Sequence, residues 1–156
     1  FIELITSNED NNIEFGICGF KSIPPDDDYE KEIFGRSETY GVELIEFVNE
    51  EKINRIMDDY DAIIIPSKCM ETGPMTFFEA RRKGLMILCS DRVGQSFSGD
   101  NVSIYGDVEN LKLLFRKMST RFFESRINSI GNYKVRTFTD VANDHHRLYR
   151  KILDAK

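Results

Sequence analysis

Two uninterrupted apolar runs, "DAIIIPS" at residues 61–67 and "LMILCS" at 85–90, constrain this chain more than any other feature. A strand with one wet face alternates apolar and polar residues, whereas a run that is apolar throughout needs cover on both faces. Between them lies "KCMETGPMTFFEARRKG", Lys68 to Gly84. Its second half predicts a short helix, with Pro74 in the first turn and Gly84 just past the end. Strand, helix and strand in that order point to parallel strands joined by a helical crossover.

The flanking sequence extends the pattern. "NIEFGICG" (12–19) alternates and predicts a strand with Ile13, Phe15 and Ile17 on one side. "FIELI" at the start reads as the end of a helix. Residues 20–40, with two prolines and an acidic run, read as a loop with room for one short helix. "GVELIEFV" (41–48) alternates again, placing Val42, Leu44 and Ile45 or Phe47 inward. "NEEKINRIMDDY" (49–60) carries Ile53, Ile56 and Met57 at helical spacing, with Asn49 as its cap. "NVSIYG" (101–106) predicts a strand, and "DVENLKLLFRKM" a helix capped by Asp107, with Val108, Leu111, Leu114, Phe115 and Met118 on one face. "TRFFESRINSIG" reads as a further helix. The last, "TDVANDHHRLYRKIL", is expected to be capped by Thr139 or Asp140, with Val141, His145, Leu148 and Ile152 as its core stripe. The whole reads as a single α/β domain: a Rossmann-like parallel sheet with helices on both faces.

At 156 residues and 40 % hydrophobic, the chain has material for one core and no apolar stretch of membrane-spanning length. Its net charge of −6 is uneven. Residues 1–60 hold 16 acids against 5 bases, and residues 61–156 hold 11 against 16. The acidic first part argues against wrapping nucleic acid, while the basic second part tolerates a small anion. Cys18, Cys69 and Cys89 are odd in number and widely spaced, and are expected to be buried free thiols of a reducing cytoplasm. The two histidines, His145 and His146, are adjacent, so no metal site is expected. His145 reads as a core histidine.

"ETGPMT" carries the chemistry. Gly73 lets backbone approach closely, and the helix start after it leaves N–H groups unpaired. Those donors and the helix dipole favour an anion such as a diphosphate. Glu71 precedes that position and Glu79 follows it in the second helical turn. A carboxylate repels phosphate but accepts hydrogen bonds from hydroxyls. An anion at the helix start, with hydroxyl-bearing rings to either side, describes a nucleotide diphosphate sugar.

"YDAIIIPSKCMETGPMTFFEARRKGLMILCSD" resembles the signature stretch of the retaining GT-B glycosyltransferases. Glu71 and Glu79 match that family's pair of glutamates seven residues apart, Pro66 and Ser67 its strand end, and Ala80 and Gly84 the remainder. "GVELIEFVNEEKINRIMDDYD", "YGDVENLKLLFRKM" and "FTDVANDHHRLYRKIL" are similar to its neighbouring elements, so nearly the whole chain is covered. The resemblance implies the C-terminal, donor-binding half of a GT-B fold, spanning residues 1–156 as one nucleotide-sugar-binding domain. The first strand of that half and the upstream acceptor domain are expected before residue 1.

By the family pattern, Glu71 is the catalytic candidate and holds the donor sugar. The backbone of Thr72, Gly73, Pro74, Met75 and Thr76 meets sugar and diphosphate, and Glu79 holds the ribose. The region of Phe47 and Val48 meets the base. The resemblance implies a transferase that moves sugar from a nucleotide diphosphate sugar to a glycan or lipid-linked acceptor, without metal or other cofactor. The expected setting is polysaccharide biosynthesis in the cytoplasm, including the inner face of the membrane for the full-length protein. The domain alone is expected to bind donor weakly and to be inactive. "VGQSFSGDN" departs from the family's paired glycines and Glu, keeping only Gly94. A non-catalytic nucleotide-binding module or partner subunit is therefore the alternative. A receiver-type signalling domain fits less well, because Asp61 stands at a strand start rather than a strand end.

Overall fold

The computed structural model describes residues 13–93, 99, 101–115 and 137–154. It is α/β, with two small parallel sheets flanked by helices. Strand β1 (Gly16–Phe20) pairs in parallel with β2 (Glu43–Glu46), and β3 (Ala62–Ile65), β4 (Met86–Ser90) and β5 (Val102–Tyr105) form the second sheet in that order. Helix α1 (Asp28–Thr39) joins β1 to β2, and α2 (Glu50–Ile56), continued by a 3₁₀ turn (Met57–Asp59), leads into β3. Helix α3 (Met75–Lys83) joins β3 to β4. The chain is helical again from 108 to 115 (α4), and α5 (Phe138–Asp154) is the last described element.

The apolar runs behave as their composition requires. In β4, Ile87, Leu88 and Cys89 are fully buried. Ile87 and Cys89 join Phe77, Ala80, Leu85, Val93, Met57 and Ile65 in one core. Leu88 faces the other way and packs with Tyr105 and Leu111, with Phe15, Ile64, Leu114 and Phe115 around them. β4 is thus covered on both faces. Gly84 closes α3 in the left-handed region at φ 72°, and Leu85 N–H donates to the Ala80 carbonyl at 3.0 Å. That six-residue closure orients Leu85 into the core and starts β4 at once.

β3 is different. Its sequence is as apolar as that of β4, yet Ala62, Ile63 and Ile64 are only half-buried. Among the described residues it pairs with β4 alone, and β1 pairs with β2 alone. Tyr60, just before β3, bridges the two sheets. Its hydroxyl donates to Glu43 Oε2 at 2.7 Å, and its ring lies where a side chain on Gly16 would sit. The amino ends of β1, β2 and β3 therefore meet.

Five expectations are corrected. The short helix expected within the loop of residues 20–40 runs for 12 residues, 28–39, and Asp27 caps it by accepting from Glu30 N–H at 2.8 Å. β1 begins at Gly16, so Ile13 and Phe15 precede the strand instead of lining it. Cys18 and Cys69 are exposed, and only Cys89 is buried. α5 is capped by Thr137 rather than Thr139 or Asp140 as the cap. Asp140 N–H donates to Thr137 Oγ1 at 3.2 Å, and Thr137 N–H donates back to Asp140 Oδ2 at 2.8 Å. That reciprocal box fixes the helix start. His145 is also exposed, with the Tyr149 ring edge-on at 6.3 Å, because α5 has no buried residue. The expectations for residues 1–12, for "VGQSFSGDN" except Gly99, and for "TRFFESRINSIG" lie outside the described residues.

Candidate functional site at the start of helix α3

The site grows from the carboxyl ends of β3 and β4, where parallel sheets bring loops and helix starts together. Ser90, the last residue of β4, donates its hydroxyl to the Ser67 carbonyl at 2.6 Å, tying the two strand ends. Ser67 then donates its own hydroxyl to Glu71 Oε1. Glu71 N–H donates to the Arg92 carbonyl at 2.9 Å, and Glu71 forms a parallel bridge with Val93. Val93 is fully buried in the core, so this bridge fixes the loop after β3 to the loop after β4. Glu71 is half-buried with its backbone and one carboxylate oxygen held, and Oε2 has no partner among the described residues.

Thr72, Gly73, Met75 and Thr76 are exposed, and Pro74 is half-buried. Pro74 occupies the cap position and supplies no side-chain acceptor. Phe77 N–H reaches the Pro74 carbonyl at 3.1 Å, leaving the N–H groups of Met75 and Thr76 without a side-chain cap. Natural helices usually satisfy such donors with Ser, Thr, Asp or Asn. Phe77 and Ala80 turn inward, so Thr76 and Glu79, three residues apart, share the outer side of the helix. Helical side chains lean toward the amino end, which directs Glu79 back over the first turn. Glu79 is half-buried and carries neither hydrogen bond nor ion pair among the described residues.

Two of the three basic residues of α3, Arg81 and Lys83, serve packing. Arg81 is 8 % exposed, with its guanidinium 6.0 Å from the Phe77 ring centre and against the Gly99 backbone. Lys83 reaches Asp58 at 2.6 Å and ties α3 to the 3₁₀ turn. Lys68 and Arg92, on the loops after β3 and β4, are exposed, and Arg92 lies 3.5 Å from Asp91. Phe47, 78 % exposed, and half-buried Val48 follow β2 in the other sheet, with Phe47 N–H donating to the Phe20 carbonyl at 2.6 Å. Among the described residues no group of three or more His, Cys, Asp or Glu is gathered to hold a metal. No helix among them is long and apolar enough to cross a membrane.

Sequence reasoning missed Ser67, Ser90 and Val93 as the frame of Glu71. The signal was a small hydroxyl at the end of each apolar run, a residue type that readily bonds nearby backbone. No family model matches the sequence, and no curated protein matches it.

Proposed function

We propose that this chain is the donor-binding domain of a retaining glycosyltransferase of GT-B type, taking sugar from a nucleotide diphosphate sugar to a glycan or lipid-linked acceptor. The observation that carries the proposal is the start of α3: a helix nine residues long with, among the described residues, no side-chain cap, a buttressed Glu71 before it and an unpartnered Glu79 over its first turn. The free N–H groups and helix dipole favour the diphosphate. Glu79 accepts from the ribose hydroxyls and Glu71 Oε2 from the donor sugar. As the bond from anomeric carbon to diphosphate oxygen breaks, negative charge grows on the leaving diphosphate, and fixed donors stabilise it without reorganising. Arg92 and Lys68 stand on the adjoining loops to add positive charge.

The reading calls for one more parallel strand between β1 and β3, where both have unpaired edges among the described residues, and for an acceptor domain beyond it. A second reading, a nucleotide-binding module without transfer activity, is favoured by the departure of "VGQSFSGDN" from the family pattern. Calorimetric titration with UDP- and GDP-sugars tests the binding common to both. Sugar transfer by the protein together with its acceptor domain separates them. Transfer lost in Glu71→Gln with donor affinity kept supports the first reading.

A further inference from the structure

Helix α5 has no buried residue among the described residues, although one side of it is apolar apart from His145. Leu148 is 56 % and Ile152 53 % exposed. The stripe is a heptad seam, with Phe138, His145 and Ile152 at one core position and Val141 and Leu148 at the other. A seam of this kind fits another helix, and the flanking residues define which one. Asp144 and Lys151 hold equivalent positions on one flank, and Ala142 and Tyr149 on the other.

We propose that α5 is a self-association surface on which two copies of this chain pair their α5 helices in antiparallel orientation. Antiparallel pairing sets the two kinds of core position opposite each other, so Val141 meets Ile152 and His145 meets Leu148. The flanks then face like with like: Asp144 of each copy lies beside Lys151 of the other, and small Ala142 beside large Tyr149. The Asp144–Lys151 ion pair forms twice, once on each side of the two-fold, and the opposed helix dipoles add to the attraction. The arrangement is isologous and closes as a dimer. The outer side and flanks of α5 together carry Asp140, Asp144 and Asp154 against Arg147, Arg150 and Lys151, which balance. That neutrality suits a protein partner better than an anionic lipid surface. An interface of this size is small, so the dimer dissociates in the micromolar range.

Sedimentation equilibrium of the 156-residue chain across concentration tests this, with three variants. The parent is expected to show a monomer–dimer equilibrium, and Leu148→Asp to abolish it. Asp144→Lys and Lys151→Asp each set like charges together in a self-pair and are expected to weaken it roughly tenfold. Mixed in equal amounts, these two variants restore both ion pairs and form a mixed dimer about as tight as the parent. All the substituted side chains are exposed, and circular dichroism is expected to show unchanged helix content. A parent that stays monomeric at every concentration overturns the proposal. So does a mixture no tighter than its components, or a monomeric chain that sediments with phosphatidylserine vesicles.

Discussion

Glu71 and Glu79 are held very differently, and the difference sets what substitution at each does. Glu71 accepts from Ser67 and its backbone joins two loops. Glu79 has no partner among the described residues, so Glu79→Ala is expected to leave thermal unfolding within about 0.5 kcal/mol of the parent. Calorimetry of unfolding checks this. Tyr60 is a structural counterpart. Burial, then the hydrogen bond and charge of Glu43, push its phenol far above the usual value. In the unfolded chain it ionises near pH 10 while the folded form keeps its proton. Stability is therefore full below about pH 10 and falls as pH rises through and beyond it. Tyr60→Phe is expected to flatten that alkaline decline by one proton's slope, measured by urea unfolding across the alkaline range. Tyr105 contributes a decline of the same sign, since burial raises its phenol to about 12.

Elements were legible where one local signal decided them. The apolar runs at β3 and β4, Asn49 and Asp107 as caps, and Gly84 as the left-handed stop of α3 all act within a few residues. Lys52 N–H donates to Asn49 Oδ1 at 3.1 Å and Asn110 N–H to Asp107 Oδ1 at 2.7 Å. The extent of helix α1 was hidden because the prolines and acids before it read as loop, while Asp27, the last of those acids, is the cap. The true start of α5 was hidden because Thr137 reads as one more polar residue until its exchange with Asp140 is seen. The link from Glu71 to Val93 joins segments far apart in sequence, and no periodicity encodes it. Phe77, fully buried at the centre of the larger core, is expected to cost about 3–5 kcal/mol on truncation to Ala, read from denaturant midpoints. Half of β3's amides face away from β4, so those are expected to exchange with solvent quickly while β4 stays protected throughout. Hydrogen exchange with residue resolution distinguishes them.

At the scale of the molecule, the order of strands and helices predicted an α/β parallel arrangement, and that is what forms. The division into two sheets was not foreseen, since which strands pair depends on contacts between segments far apart in sequence. The central claim is that the uncapped start of α3, between Glu71 and Glu79, binds a nucleotide diphosphate sugar. Isothermal titration of UDP, GDP and their sugars into the parent chain and into Glu79→Ala tests it most directly. The parent is expected to bind at least one nucleotide saturably, and the variant to lose tenfold or more, roughly 1.4 kcal/mol. Equal affinity in the two proteins, or no binding by a folded parent carrying its acceptor domain, would contradict it.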